Sequence, residues 1–165
     1  MYSVGDYVVK VNDGVCRVEE VTHLQMSGVP SDKLYYLLVP INNSGSRIFV
    51  PVEGRESELR FVVKKDRIDE IVSQIPNMDA EWIVNNKFRE IKYKEVLHSG
   101  DIEQMLTYIK IILLKRRERE IEGKKHTALD ERYLKMMEHA VYAELAFSLG
   151  CDRSEVKEKI LNVIM

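Results

Sequence analysis

Near Asp66 the hydrophobic pattern of this chain changes its period, and that change limits the folds open to it. Before it, short β-type runs alternate with turn residues: Tyr7-Val8-Val9, Val15-Cys16-Arg17-Val18 continuing to Val21, Leu34-Tyr35-Tyr36-Leu37-Leu38-Val39, Arg47-Ile48-Phe49-Val50-Pro51-Val52 and a short Leu59-Arg60-Phe61-Val62-Val63. Asn12-Asp13-Gly14, Gly28-Val29-Pro30-Ser31, Asn42-Asn43-Ser44-Gly45 and Glu53-Gly54 punctuate them. Closely spaced strands with such turns predict a small antiparallel barrel or a strongly bent sheet. Asn12-Asp13-Gly14 supplies residues that tolerate positive φ, as a tight hairpin requires.

After Asp66, Gly and Pro become scarce and apolar residues recur at helical spacing. Ile68, Ile71, Val72 and Ile75 form one stripe, which Pro76 stops. A second helix is expected from Asp79, as N-cap, to Leu97, with Ser99-Gly100 as its break. Asp101 and Gln104 have the spacing that caps a third helix, whose stripe is Ile102, Met105, Leu106, Ile109, Ile112 and Leu113. Tyr133, Met136, Ala140, Ala143 and Phe147 mark a fourth helix that ends at Gly150, and Val156, Ile160 and Ile164 a fifth after Asp152. The reading is α+β: a β module over residues 1–65 and an all-helical bundle over 66–165.

Composition excludes several function classes. The 165 residues are 45% hydrophobic and 32% charged, which is a globular balance, and the net charge of −2 does not announce a nucleic-acid binder. Any contact with DNA has to come from a local patch. No apolar run reaches the roughly 18 residues of a membrane span, and Met1 to Asp6 have no signal-peptide pattern. Cys16 and Cys151, far apart in sequence, read as two reduced thiols in a cytoplasm.

Catalytic chemistry needs convergent reactive groups, and none stands out. His23, His98, His126 and His139 are isolated, with no partner at metal-ligand spacing. Gly123-Lys124-Lys125 is not a phosphate loop: Glu118 stands where the first glycine belongs and Lys125 where the hydroxyl residue belongs. A binding protein without metal or cofactor is expected, not an enzyme.

The single tryptophan, Trp82, is conspicuous by its neighbours. On the helix expected from Asp79, the residues one turn on are Asn85, Asn86 and Arg89, all polar. One reading is a half-buried ring that packs a helix start. The other is an exposed aromatic that wedges beside or stacks on a base. Lys87, Arg89, Lys92 and Lys94 follow it, and Lys115-Arg116-Arg117-Glu118-Arg119 forms a second basic cluster. Such cations neutralise phosphates without reading sequence, or simply sit as a solvated helix end.

These residues resemble a known family, the CarD-type bacterial transcription regulators. The resemblance is carried by Val4-Gly5-Asp6-Tyr7-Val8-Val9, Asn12-Asp13-Gly14-Val15-Cys16-Arg17-Val18, Tyr35-Tyr36-Leu37-Leu38 and Ile48-Phe49-Val50-Pro51-Val52. In the helical half it continues through Trp82, Arg89, Leu97-His98-Ser99-Gly100-Asp101 and Glu144-Leu145-Ala146.

The resemblance implies a Tudor-like N-terminal domain that binds the RNA polymerase β subunit, a domain shared with the transcription-repair coupling factor. It implies a helical domain in which Trp82 wedges into the promoter minor groove at the upstream edge of the bubble and stabilises the open complex. The implied DNA contacts are Trp82, Lys87 and Arg89, with Arg116, Arg117 and Arg132 behind them. The implied polymerase contacts are Arg47, Ile48, Phe49 and Val50. A cytoplasmic monomer is expected. The alternative is a polymerase- or protein-binding adaptor that never touches DNA.

Overall fold

A computed structural model describes residues 1–165. They divide into two compact units, Met1–Val62 and Val63–Met165. The architecture is α+β, an antiparallel sheet followed by helices.

The first unit holds β1 (Tyr7–Lys10), β2 (Gly14–His23), β3 (Leu34–Pro40), β4 (Ile48–Pro51) and β5 (Leu59–Phe61). The spatial order β4-β3-β2-β1-β5 leaves β4 and β5 at the two edges. The β1–β2 hairpin closes with Lys10 opposite Gly14, and the turn places both Asn12 and Gly14 at positive φ, as their residue types allow. Pairing of β2 with β3 shifts register between Val18 and Glu20, a bulge that bends the strand. Val8, Cys16, Val18, Tyr36, Leu38, Val50 and Leu59 are buried together as this unit's core. Burial raises the Cys16 thiol to about 11, with Asp13 adding to the effect, so the sulfur is an inert core group.

The second unit contains α1 (Lys65–Gln74), α2 (Asn86–Ser99), α3 (Ile102–Ile121), α4 (Ala128–Leu149) and α5 (Arg153–Ile164). Pro76 ends α1 through a short 3-10 turn at Ile75–Asn77. Asp101 caps α3 by accepting from the Gln104 N–H, and Gly100 and Gly150 close α2 and α4 in the left-handed region. All six residues of the expected α3 stripe are buried. On α4 Tyr133 is buried as expected, but the rest of the buried face differs from the expected one. Leu134, Met137, Val141 and Leu145 point inward, while Met136 is exposed and Ala140, Ala143 and Phe147 are only partly covered.

Glu144 is buried on α4, and its carboxylate accepts from the Val63 N–H at 2.9 Å. Ser148 Oγ donates to the Val63 carbonyl at 2.6 Å, so both backbone groups of the residue entering this unit are satisfied. No helix is long and apolar enough to cross a membrane.

Candidate functional site

In the first unit the feature to explain is the β4 edge. Its inner side pairs with β3 through Leu38–Ile48, Leu37–Phe49, Tyr36–Val50 and Tyr35–Pro51, and its outer side has no neighbouring strand. Alternation along the strand then separates the side chains. Val50 is 1% exposed and belongs to the core, whereas Phe49 is 42% exposed. Arg47 lies exposed just before the strand, with Ile48 partly covered. Three of the four sequence-derived contact residues thus have accessible side chains. Val50 is corrected to a core residue that offers a partner only its backbone.

In the second unit the segment carrying Trp82 is not helical. Residues 78–85 are irregular and α2 begins at Asn86, not near Asp79. The reason is local hydrogen bonding. Asn85 is the residue whose side-chain oxygen accepts from the Phe88 N–H, at 3.0 Å, as an N-cap does. The Asp79 carboxylate instead binds the adjacent Ala80 N–H.

Two cations fasten this segment at its ends. Lys110 Nζ, on α3, donates to the carbonyls of Ile75, Pro76 and Met78 at 3.0, 3.0 and 2.8 Å. Arg89 Nη1 donates to the carbonyls of Ile83 and Val84 at 2.9 and 3.1 Å. Between these anchors Trp82 is half-buried against the helical core. The Arg89 guanidinium lies 4.7 Å from the ring centroid and Lys115 Nζ 5.6 Å from it, both within cation–π reach.

Arg89 therefore has a different role from the phosphate contact expected of it. It is 3% exposed, and every one of its N–H groups is engaged. Nε and Nη2 reach the two Asp130 carboxylate oxygens at 2.8 and 3.3 Å, Nη2 also reaches Asn86 Oδ1 at 2.9 Å, and Nη1 holds the two carbonyls already named. A saturated, buried guanidinium has no donor left for DNA. Arg89 is a strut under Trp82.

Asp130 is the counterpart, 1% exposed at the start of α4. Besides Arg89, Tyr93 Oη donates to it at 2.6 Å and Thr127 Oγ1 at 2.5 Å. Burial pushes the Asp130 carboxyl upward, but these hydrogen bonds outweigh burial and hold it below the usual carboxylate range. The same site, through burial first and the Asp130 bond second, pushes the Tyr93 phenol well up, so it stays a neutral donor.

The remaining sequence-derived cations are not gathered at Trp82. Lys87 is exposed with no ion-pair partner. Arg132 pairs with Glu90 at 2.7 Å and covers the Tyr133 ring at 4.8 Å. Arg116 is shared between Glu120 and Glu131, and the guanidinium of Arg117 reaches only the Met165 sulfur. Sequence reasoning missed Asp130, Lys110 and the contact of Lys115 with the ring. Thr127 and Asp130 do carry N-cap spacing, the one signal that pointed to this corner. No group of three or more His, Cys, Asp or Glu is arranged to hold a metal ion.

Residues 2–63, the extent of the first unit and one residue beyond it, match the family model of the CarD-like/TRCF RID domain. No curated protein matches the chain.

Proposed function

We propose that this chain, whose residues 2–63 match the family model of the CarD-like/TRCF RID domain, is a polymerase-tethered regulator of promoter complexes. Its first unit docks on the β subunit by adding the β4 edge to a strand of that subunit. Main-chain hydrogen bonds supply affinity in such pairing, and Arg47 and Phe49 supply the side-chain contacts. The observation that carries this reading is the open β4 edge, with an exposed aromatic and an unpaired cation, inside a domain of this family.

The helical unit then meets promoter DNA through the surface around Trp82, at the upstream edge of the melted region. An aromatic inserted where a base step is already strained costs little and opposes reclosure, which stabilises the open complex. Specificity is supplied by the tether, since attachment to polymerase raises the local concentration of a weak DNA contact. A chain with net charge −2 then needs no global basic surface. On this reading the chain is a monomeric binding protein of the bacterial cytoplasm, without catalytic activity or cofactor.

A second reading is favoured by the packing of Trp82 against the core. In it the chain is an adaptor that binds polymerase and never touches DNA.

Pull-down of the polymerase β subunit by the full chain tests the first step. The wild type is expected to retain it, and the paired substitution Arg47→Glu and Phe49→Glu to lose it. Absence of binding by the wild type, or equal binding by the variant, overturns the proposed docking.

A further inference from the structure

The most exposed apolar side chains of the helical unit's α2 corner are not those of Trp82. Val84 is 82% exposed, Phe88 61% and Ile91 54%, and the whole run Val84-Asn85-Asn86-Lys87-Phe88 is open to solvent. Soluble surfaces seldom present large apolar groups together without a use for them.

The chemistry of this tip narrows the occupant. Between Glu81 and Glu90 the chain has no carboxylate, and Arg89 is neutralised by Asp130, so Lys87 is the only uncompensated charge. Asn85 Oδ1 is occupied by the Phe88 N–H and Asn86 Oδ1 by Arg89 Nη2. Each amide NH2 is left without an acceptor in the chain. The tip therefore offers two amide donors, one cation and an aromatic ring, and no carboxylate. The minor groove is complementary to that set: its A·T pairs present only acceptors, and phosphates line its rims. The tip is also rigid, because the Arg89 strut holds Asn86, the carbonyls of Ile83 and Val84, and the ring of Trp82 from beneath.

We propose that Val84–Phe88 is the element that enters DNA, with Phe88 as the inserted ring, Asn85 and Asn86 as donors to minor-groove acceptors, and Lys87 on a phosphate. Trp82 is the floor of this element and not the wedge. The inference rests on the DNA-binding reading above and sharpens it. It also adds a preference for A·T over G·C at the inserted step, because the guanine 2-amino group brings a donor to where these amides need an acceptor.

The test uses the full chain at low salt with fork-junction DNA that carries 2-aminopurine as its first unpaired base, so that the probe brings no 2-amino group into the contacted minor groove. Wild type is expected to raise its fluorescence. Phe88→Ala, at an exposed position, is expected to lose most of that rise and to bind about tenfold more weakly, while Phe88→Trp and Trp82→Phe keep it. Replacing the A·T step by inosine·C, which lacks the 2-amino group, is expected to preserve binding, and G·C to weaken it. If wild type binds and Phe88→Ala is indistinguishable from it, the assignment to Phe88 falls and the DNA reading stands. If Phe88→Ala spares DNA binding but abolishes polymerase binding, the tip is a protein-docking surface and the inference is overturned. If wild type does not bind the fork at all, both fall.

Discussion

Arg89 and Asp130 form an ion pair at 2.8 Å in the helical unit, with side chains 4% and 2% accessible. One comes from α2 and the other from the start of α4, and between them they organise the segment that carries Trp82. Removing one partner leaves an uncompensated buried charge, which costs about 3–5 kcal/mol. Arg89→Met and Asp130→Leu are each expected to lower stability by that order in urea unfolding. The double substitution is expected to cost clearly less than their sum, because it leaves no orphaned charge. Strict additivity contradicts the coupling.

The same pair sets an acid limit on stability. Asp130 titrates below its ordinary value of 3.8 in the folded chain, so its contribution is fully present above that value and is lost as pH falls through the folded value. His126 acts with the same sign at higher pH. Burial holds its imidazole below the ordinary 6.5, outweighing Asp130 and Glu131, and its Nε2 lies 3.3 Å from Glu131 without a hydrogen bond. The unfolded chain therefore takes up the His126 proton first, and stability declines as pH drops below 6.5. The urea midpoint is expected to fall between pH 7.5 and pH 5.5, and His126→Gln to flatten that decline. An unchanged slope in the variant contradicts the assignment.

Adjacent residues of β4 are expected to separate stability from binding. Val50 sits in the core, so Val50→Ala is expected to destabilise by on the order of 2 kcal/mol. Phe49 is largely exposed, so Phe49→Ser is expected to stay within about 0.5 kcal/mol of wild type while it weakens polymerase binding. Thermal unfolding and pull-down on the same two variants distinguish the roles.

Lys110 holds three backbone carbonyls at the start of the irregular segment. Lys110→Met keeps the bulk of the stem and removes those bonds. Faster amide exchange is expected through residues 78–85, with the helices of the core protected as before. Uniformly faster exchange places Lys110 in global stability instead.

The two periods of the chain made the architecture legible, since a five-strand sheet and a helical unit follow directly from alternation and 3.6-residue spacing. The α3 stripe was legible because Glu103, Gln104, Thr107 and Lys110 interrupt it at helical spacing over its first turns. Beyond Tyr133 the α4 stripe was displaced because this helix is apolar around much of its circumference, and packing against the neighbouring helices, α3 and α5 foremost, selects Leu134, Met137 and Leu145. The α2 start was misplaced because Asp79 and Asn85 both have cap chemistry, and bonds from Lys110 and Arg89 to the segment's carbonyls hold the intervening residues outside a helix. The role of Arg89 was hidden for a related reason. A buried partner 41 residues away in sequence turns an apparent surface cation into a strut.

In the proposed function the two units act on one promoter complex, the first by tethering and the second by contact with DNA. The most direct measurement is the lifetime of open complexes after a competitor challenge, with saturating wild-type chain, the Arg47→Glu and Phe49→Glu variant, and Phe88→Ala. Wild type is expected to lengthen the lifetime, the β4 variant to lose the effect together with polymerase binding, and Phe88→Ala to lose it while still bound to polymerase. A lifetime unchanged by wild type, or lengthened equally by all three, contradicts the proposed function.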